Sequence, residues 1–304
     1  MQNRITSRRP EWTIIKLLNW ATSYFKSRDI EGPRTSAELL LAHVLGVTRI
    51  DLYLRYDQPL LGDELSRFKA LIKRRIDREP VAYIIGRKGF WSIDLAVTQD
   101  VLIPRPETEC LVEVALEMLS SESATTPKRI LELGTGSGAV ILALANQHPG
   151  HLYFASDVSF NAVGIARMNA RRLRLEDNIH FFCGDWLFPL RPESDYFDII
   201  LSNPPYIKSA DMDKLQPEIN IYEPAIALDG GGDGLCCVRR IVSQAFGYLK
   251  PRGALMLEVG HDQREDVHTI MRECGRYDSF FCTKDYQKHD RVIRMTKKML
   301  RTGI

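Results

Sequence analysis

ILELGTGSG, residues 130–138, is the stretch that decides the fold: an apolar run leads into three glycines at alternate positions. The run predicts a buried strand, and residues 139–147 predict a helix after it. Glycines permit positive φ angles and let a ligand approach the backbone closely. In open α/β sheets such a turn lies at the carboxyl end of a strand, where ligands bind. The stretch therefore predicts a strand, a ligand-binding turn and a helix.

The same alternation continues downstream. Apolar runs predict strands at residues 152–156, 179–183, 197–202 and 254–259, and helical periodicity predicts helices at residues 160–173 and 235–249. Short apolar strands that alternate with helices are typical of a doubly wound, mainly parallel sheet. The fold class is therefore α/β.

Upstream of this region the pattern changes twice. Residues 11–80 predict a helical bundle, with Thr35 and Ser36 as helix caps, Gly46 as a helix stop and a last helix from Asp63 to Arg78. Residues 81–86 and 89–97 predict short strands with glycine turns, and Pro106 is suited to the first turn of another helix. We therefore predict three regions: helical residues 1–80, a hairpin-like linker at 81–105 and an α/β domain at 106–304.

Composition restricts the class of protein only loosely. The net charge is +2, although residues 1–80 carry fifteen Lys and Arg against ten Asp and Glu. The small basic excess is typical of a solvated helical surface and does not by itself predict a nucleic-acid partner. The six cysteines form no C-x-x-C pair and no zinc pattern, and neither a signal peptide nor a membrane span is apparent. We expect a metal-free cytoplasmic protein.

Two further strand ends carry acidic residues. Asp157 follows the strand after the glycine turn by about 20 residues, as expected for a ribose ligand. Asp185 and Trp186 follow the next strand and suit hydrogen bonding and stacking of an adenine. The spacing of Gly134, Gly136 and Ala139 also fits a dinucleotide site, so a nicotinamide or flavin enzyme stays possible on these residues, as does a merely tight turn.

The fourth strand delivers Asn203-Pro204-Pro205-Tyr206 to the same edge. Pro204 biases Asn203 away from helix, and two successive prolines make a rigid loop that presents carbonyls rather than N–H donors. The side-chain oxygen of Asn203 and the carbonyl oxygen of Pro204 can each accept one hydrogen of an NH2 group, while Tyr206 offers a flat face. The loop predicts a substrate that reacts at a planar nitrogen.

A conjugated nitrogen is a poor nucleophile because its lone pair is delocalised, as the amide rotation barrier of about 18–20 kcal/mol shows. Gripping both hydrogens orients the nitrogen toward a sulfonium methyl, and such positioning contributes on the order of 7–11 kcal/mol. A dedicated base is not required, because the nitrogen becomes acidic once alkylated. We therefore predict methyl transfer from S-adenosyl-L-methionine, leaving S-adenosyl-L-homocysteine, with Asn203, Pro204 and Tyr206 as catalytic residues.

Nearly the whole chain resembles the release factor N5-glutamine methyltransferases. The stretches that carry the resemblance are residues 78–86, Phe90-Trp91, the specific run Leu102-Ile103-Pro104-Arg105-Pro106-Glu107-Thr108-Glu109, residues 132–138, 184–186, 203–206, 222–224, 227–231 and 233–235. Residue 132 is Glu where the family usually has Asp, and His289 stands where a glycine is common. The resemblance implies a Rossmann-like class I methyltransferase domain behind an N-terminal helical domain.

It also implies the substrate and the site. The acceptor would be the glutamine of the Gly-Gly-Gln motif of class I peptide chain release factors, held by residues 203–206 and docked with help from residues 1–80. We expect a monomer that does not bind membranes or, stably, nucleic acid. With the strand-end residues above, the expected cofactor contacts are Glu132, Gly134, Thr135, Gly136, Ser137, Gly138, Asp157, Asp185, Trp186 and Asn203.

Other functions remain open on these observations. A ribosomal-protein glutamine or a nucleobase amino group also presents a planar NH2, although no base-recognition module is apparent. The hypothesis of a non-catalytic module that docks to translation factors does not explain why the cofactor and acceptor residues are intact. The hypothesis of a dehydrogenase does not explain residues 203–206.

Overall fold

The computed structural model describes residues 12–120, 126–191 and 195–299; the amino-terminal residues that bear on a signal peptide lie outside them. The chain divides into two compact units. The helical unit comprises residues 1–86 and 217–222, and the sheet unit comprises residues 87–216 and 223–304. No described helix has the length and apolar character needed to cross a bilayer.

The helices of the helical unit are α1 (Ile14–Lys26), α2 (Pro33–Leu45), α3 (Arg49–Leu54), α4 (Gly62–Ile76), α5 (Val81–Ile85) and α9 (Pro217–Tyr222). Those of the sheet unit are α6 (Glu109–Ser120), α7 (Ala139–Gln147), α8 (Phe160–Leu173), α10 (Cys236–Ala245) and α11 (Arg264–Cys274). The strands are β1 (Arg87–Phe90), β2 (Ile93–Ala96), β3 (Arg129–Leu133), β4 (Leu152–Asp157), β5 (Ile179–Cys183), β6 (Phe197–Ser202), β7 (Leu249–Glu258), β8 (Tyr277–Lys284) and β9 (Asp290–Lys297).

The helical unit packs around large apolar side chains. Leu18, Phe25, Leu40 and Phe68 from three helices are almost completely buried, and they belong to one continuous apolar cluster. Gly46 ends α2 in the left-handed conformation, with its N–H donating to Ala42 and His43 carbonyls. This confirms the predicted helix stop, since a left-handed residue after the last turn is the common position of glycine.

Two predictions in this unit were wrong. Residues 81–85 form α5 rather than a strand, because the Pro80 carbonyl accepts from the backbone N–H groups of Tyr83 and Ile84 and Gly86 ends the helix at φ +73°. A short β-branched apolar run does not by itself distinguish strand from helix. Thr35 and Ser36 lie inside α2, which begins at Pro33 behind Gly32, so they are not its caps.

In the sheet unit, β1 and β2 form an antiparallel hairpin, and seven strands form one sheet in the order β5-β4-β3-β6-β7-β9-β8. The strands from β5 to β7 are parallel and β9 is antiparallel to both of its neighbours. One face is covered by an apolar cluster that includes α6 and α7, the other by a cluster that includes α10 and α11. The doubly wound α/β prediction is confirmed.

The sheet register brings the strand ends to one edge. Leu133 pairs with Ser156 of β4 and with Ser202 of β6, and Ser202 in turn pairs with Leu257 of β7. The junction between α10 and β7 differs from the prediction: α10 ends at Ala245 instead of residue 249, and β7 begins at Leu249 instead of residue 254. The segments that follow β3, β4, β6 and β7 therefore start side by side.

Candidate active site

The glycine turn connects β3 to α7 with Gly134, Gly136 and Gly138 all at positive φ. Gly138 occupies the N-cap position of α7 at φ +84°, and a Cβ there would lie 2.8 Å from Cδ1 of Leu142. Only glycine fits both the backbone angle and the space. The turn is therefore held tightly against the first turn of the helix.

Asp157 organises this turn from the end of β4. Its Oδ2 accepts a hydrogen bond of 2.8 Å from the backbone N–H of Gly136, and its Oδ1 accepts one of 2.9 Å from the N–H of Ser159. Burial raises the pKa of the carboxyl group, and the backbone hydrogen bonds oppose that shift. Asp157 thus joins two strand ends and still borders the cavity described next.

A cavity of about 450 Å³ opens at this edge of the sheet. Residues at four strand ends line it, those of β3, β4, β5 and β6, and residues 100–102 and 224–227 border it as well. Its size falls in the usual range for small-molecule sites. Of the residues predicted to bind a cofactor or an acceptor, those that line it are Gly134, Gly136, Asp157, Asp185, Trp186, Asn203 and Pro205.

Trp186 and Asp185 form one wall of the cavity. Trp186 has a positive φ of 52°, and its ring lies over the glycine turn, since a Cβ on Gly134 would be 3.7 Å from Cζ3 of Trp186. The Asp185 carboxylate accepts a hydrogen bond from Arg240 of α10, and both side chains are about half exposed. This wall combines a flat apolar surface with a hydrogen-bond acceptor.

Three of the predicted cofactor residues lie beneath the turn instead of along the cavity. The Thr135 hydroxyl donates to Oε2 of Glu132 over 2.5 Å, and the backbone N–H of Ile141 donates to the same oxygen over 3.2 Å. Both Glu132 and Ser137 are buried. Burial raises the pKa of Glu132 to about 8. These side chains support the turn from within the core.

The acceptor loop, residues 203–206, begins directly after β6. The side-chain amide of Asn203 donates from Nδ2 to Oγ1 of Thr108 over 3.1 Å, and Asn203 also borders the cavity. Pro204 is buried. Burial raises the pKa of Tyr206 to about 12, with Glu258 as a further cause and Arg291 opposing it. The Asn203 amide is therefore anchored through its nitrogen.

Three residues of the run at residues 102–109 make contacts near this site. Arg105 pairs with Glu223 over 2.5 Å, and the other carboxylate oxygen of Glu223 accepts from the N–H of Ile103 over 3.1 Å. Thr108 then receives the Asn203 amide. The sequence motifs marked this run as specific to a family but did not reveal that its Thr108 contacts Asn203.

Two other residues of the site were missed. Gln263 donates from Nε2 to the backbone carbonyl of Tyr206 over 3.1 Å, and Glu258 is a buried carboxylate at the end of β7. The only signal for Glu258 in the sequence is an acidic residue that interrupts the apolar run at residues 254–259. Nothing local in the sequence points to Gln263.

The chain matches two known domain families and a set of known proteins. Residues 16–86 match the family described as the PrmC N-terminal domain, and residues 111–234 match the methyltransferase small domain. The chain is 41% identical over 286 residues to the release factor glutamine methyltransferase of Geobacter sulfurreducens, covering 94% of this chain and 97% of that protein. It is 44% identical over 243 residues to the protein of that name from Coxiella burnetii, covering 80% and 84%.

Among solved structures, the N-terminal domain of human METTL16 in complex with SAH is similar with a TM-score of 0.52. The sequence identity is 16%, and the similarity covers 97% of this chain and 96% of that one. The human METTL16 catalytic domain in complex with the MAT2A 3′UTR hairpin 6 gives a TM-score of 0.53 at 15% identity, covering 82% and 87%. At such identities the similarity concerns the fold.

Proposed function

The chain belongs to the family of release factor glutamine methyltransferases, and we propose that it methylates the side-chain amide nitrogen, N5, of a glutamine in a class I peptide chain release factor. The acceptor is the glutamine of the Gly-Gly-Gln motif, and the methyl donor is S-adenosylmethionine. The observation that carries this proposal is the Asn203 amide at the cavity edge. Because its nitrogen donates to Thr108, its oxygen is available to accept a hydrogen from an NH2 group.

The residues around the cavity fit the donor. Asp157 suits the ribose hydroxyls, while Trp186 and Asp185 suit the adenine through stacking and hydrogen bonding. The glycine turn lets a bound molecule approach the backbone. For Glu132, Thr135, Ser137 and Gly138 we propose a contribution through the shape of the turn. S-adenosylmethionine, when bound, supplies an electrophilic methyl carbon on a positively charged sulfur.

The acceptor loop supplies position and orientation. The side-chain oxygen of Asn203 takes one hydrogen of the glutamine amide, the carbonyl of Pro204 takes the other, and Tyr206 packs against the amide plane. The new N–C bond forms as the C–S bond breaks, and the nitrogen then releases one proton to water. Orientation of a weak nucleophile is the main contribution, on the order of 7–11 kcal/mol for well-placed partners.

Further expectations concern partners and compartment. We propose that the helical unit, which matches the PrmC N-terminal domain over residues 16–86, helps to dock the release factor. We also propose that the enzyme acts as a monomer without stable nucleic-acid or membrane binding. The six cysteines are free, which is consistent with a reducing cytoplasm.

The test offers purified enzyme and S-adenosylmethionine to a class I release factor, a ribosomal protein and DNA in parallel. Peptide mass spectrometry then locates any added methyl group. We expect methyl only on the glutamine of the Gly-Gly-Gln motif, and a release factor with that glutamine changed to alanine serves as the negative control. Methyl on the ribosomal protein or DNA alone would overturn the proposed substrate while leaving the chemistry intact.

A further inference from the structure

Glu258 is a buried carboxylate beside the acceptor loop. It ends β7 and is 1% exposed. Because Ser202 pairs with Leu257 in the parallel register, the next residues along the two strands, Asn203 and Glu258, are neighbours. Its Oε2 has no hydrogen-bond partner among the side chains and backbone of the described residues. A buried acceptor that stays unsatisfied is costly and calls for a functional reason.

The surroundings of Glu258 come from three parts of the sheet unit. Thr108, in the turn before α6, and Asn203 after β6 both lower the pKa of Glu258 by stabilising its charged form. The two side chains are themselves joined, because Nδ2 of Asn203 donates to Oγ1 of Thr108 over 3.1 Å. Two charged groups act on Glu258 electrostatically: Arg291 of β9 lowers its pKa and Glu107 raises it. Glu258 in turn raises the pKa of Tyr206. Burial is the largest influence and raises the pKa of Glu258 to about 7, while Thr108, Arg291 and Asn203 oppose the shift.

The donor and acceptor properties of these groups determine how Asn203 is oriented. An ionised carboxylate only accepts hydrogen bonds, whereas an amide presents two donors on nitrogen and an acceptor on oxygen. The nitrogen side of Asn203 must therefore face Glu258 and Thr108, and its oxygen must point away from them. We propose that Glu258 is a positioning residue that, with Thr108, locks the Asn203 amide with its oxygen toward the acceptor.

Protonation would release this lock. A protonated Glu258 carries an O–H donor that can serve the oxygen of Asn203, so the opposite amide orientation becomes acceptable. That orientation presents an NH2 group to the NH2 of the acceptor, and two donors cannot bond to each other. Turnover therefore falls as the pH drops through the pKa of Glu258. This inference rests on the proposed function, because the acceptor is taken to be an amide.

The first experiment compares wild type, Glu258→Gln and the matched control Glu107→Gln. Glutamine keeps the size of Glu258 but can donate as well as accept, so we expect kcat to fall at least tenfold and the acidic limb of the pH profile near 7 to disappear. The Kd of S-adenosylmethionine should stay within twofold. Glu107→Gln removes a charge that raises the pKa of Glu258, so it should keep kcat at pH 8 and move the limb to lower pH. A Glu258→Gln enzyme with wild-type kcat and an unchanged limb would overturn the proposal.

A second measurement does not depend on methyl transfer. In wild-type protein, the side-chain NH2 resonances of Asn203, assigned by their loss in Asn203→Asp, should titrate with a midpoint near pH 7. Absence of any titration between pH 6 and 8 would also overturn the proposal. If wild type methylates no release factor while these resonances titrate, the proposed substrate fails and the positioning role stands.

Discussion

The side chain of Gln263 holds the backbone of Tyr206: Nε2 of Gln263 donates to the Tyr206 carbonyl oxygen over 3.1 Å. The same nitrogen also donates to the carbonyl of Gly234 over 3.2 Å, and its Oε1 accepts from the backbone N–H of Gly260 over 2.9 Å. Gln263 is 4% exposed. The last residue of the acceptor loop is therefore fixed from the core side, as expected of a loop that orients a substrate.

Gly234→Ala should displace this loop. Gly234 has φ +78°, and a Cβ there would lie 2.4 Å from the Tyr206 carbonyl oxygen and 2.9 Å from Nε2 of Gln263. We expect kcat to fall by about tenfold or more, since small displacements of positioning groups are costly. Steady-state kinetics with the release factor measure this. Gly164→Ala, at an exposed position of α8 with nothing within 4 Å, should keep kcat and raise stability by roughly 0.5–1 kcal/mol.

Asn203→Ala should remove the oriented acceptor of the amide hydrogen. By analogy with the loss of one oxyanion-hole donor, kcat should fall on the order of 10²–10³-fold, with the melting temperature nearly unchanged. Activity and thermal unfolding are measured side by side. Asn220→Ala, at an exposed position of α9, is the control and should stay at wild-type activity. Near-normal transfer by Asn203→Ala would refute the role proposed for it.

Asp157→Ala should weaken binding of S-adenosylmethionine. The substitution removes the proposed ribose acceptor and the hydrogen bonds that Asp157 accepts from Gly136 and Ser159. Since hydrogen bonds to charged groups contribute about 1.5–3 kcal/mol, we expect the Kd to rise on the order of tenfold to a hundredfold. Isothermal titration calorimetry measures it. Asp177→Ala, at an exposed position, should leave the Kd unchanged, and an equal Kd for both variants would exclude Asp157 from the site.

The buried carboxyl group of Glu132 should make the stability of the protein depend on pH. Its pKa is raised by burial from an ordinary 4.5 to about 8, so the folded state binds the proton more tightly than the unfolded state. The stabilisation is fully present below pH 4.5, and it is lost as the pH rises toward and through 8. The loss is of the order of a few kcal/mol.

Urea unfolding at pH 5 to 9 tests this sign. The free energy of unfolding of wild type should decline across the range more steeply than that of Glu132→Gln, which has no proton to lose. Parallel curves for the two proteins would show that Glu132 does not titrate in this window.

The ion pairs of two adjacent arginines of α4 should contribute differently to the free energy of unfolding. Arg75 is 5% exposed and pairs with Glu218 over 3.0 Å, whereas Arg74 is 44% exposed and pairs with Glu79 over 2.5 Å. Removing one partner of a buried pair leaves an uncompensated charge, so Glu218→Ala, which leaves the buried Arg75 unpaired with a carboxylate, should cost about 3–5 kcal/mol. Glu79→Ala leaves the half-exposed Arg74 to water and should cost about 1 kcal/mol or less. Urea unfolding followed by circular dichroism compares them, and equal costs would contradict the argument.

The sheet unit was predictable because its local patterns agree with its topology. The helices α7 and α8 and the strands β5 and β6 lie where periodicity placed them. Parallel strands end at one edge of a sheet, and this rule alone brings the glycine turn, Asp157 and Asn203 together. The failure at residues 81–85 arose where propensity and helix-end signals conflict, because Val and Ile favour strands while the flanking proline and glycine favour a short helix.

The residues that hold the acceptor loop in place were not predictable from local sequence patterns. Thr108 lies 95 residues from Asn203 in the chain, and Gln263 lies 57 residues from Tyr206. Such contacts depend on the packing of elements that approach only in the folded sheet. Glu258 is intermediate, since a carboxylate that ends an apolar strand is an anomaly visible in the sequence, but its partners are not.

The helix α9 has a consequence for modularity. It belongs to the helical unit although residues 207–216 before it and 223 after it belong to the sheet unit, and it supplies Glu218 to the buried Arg75. A fragment cut at Gly86 would leave that guanidinium without its carboxylate. Any transplantation of the helical unit between relatives must therefore carry two pieces of chain, because an exchange at a single junction would separate Arg75 from Glu218.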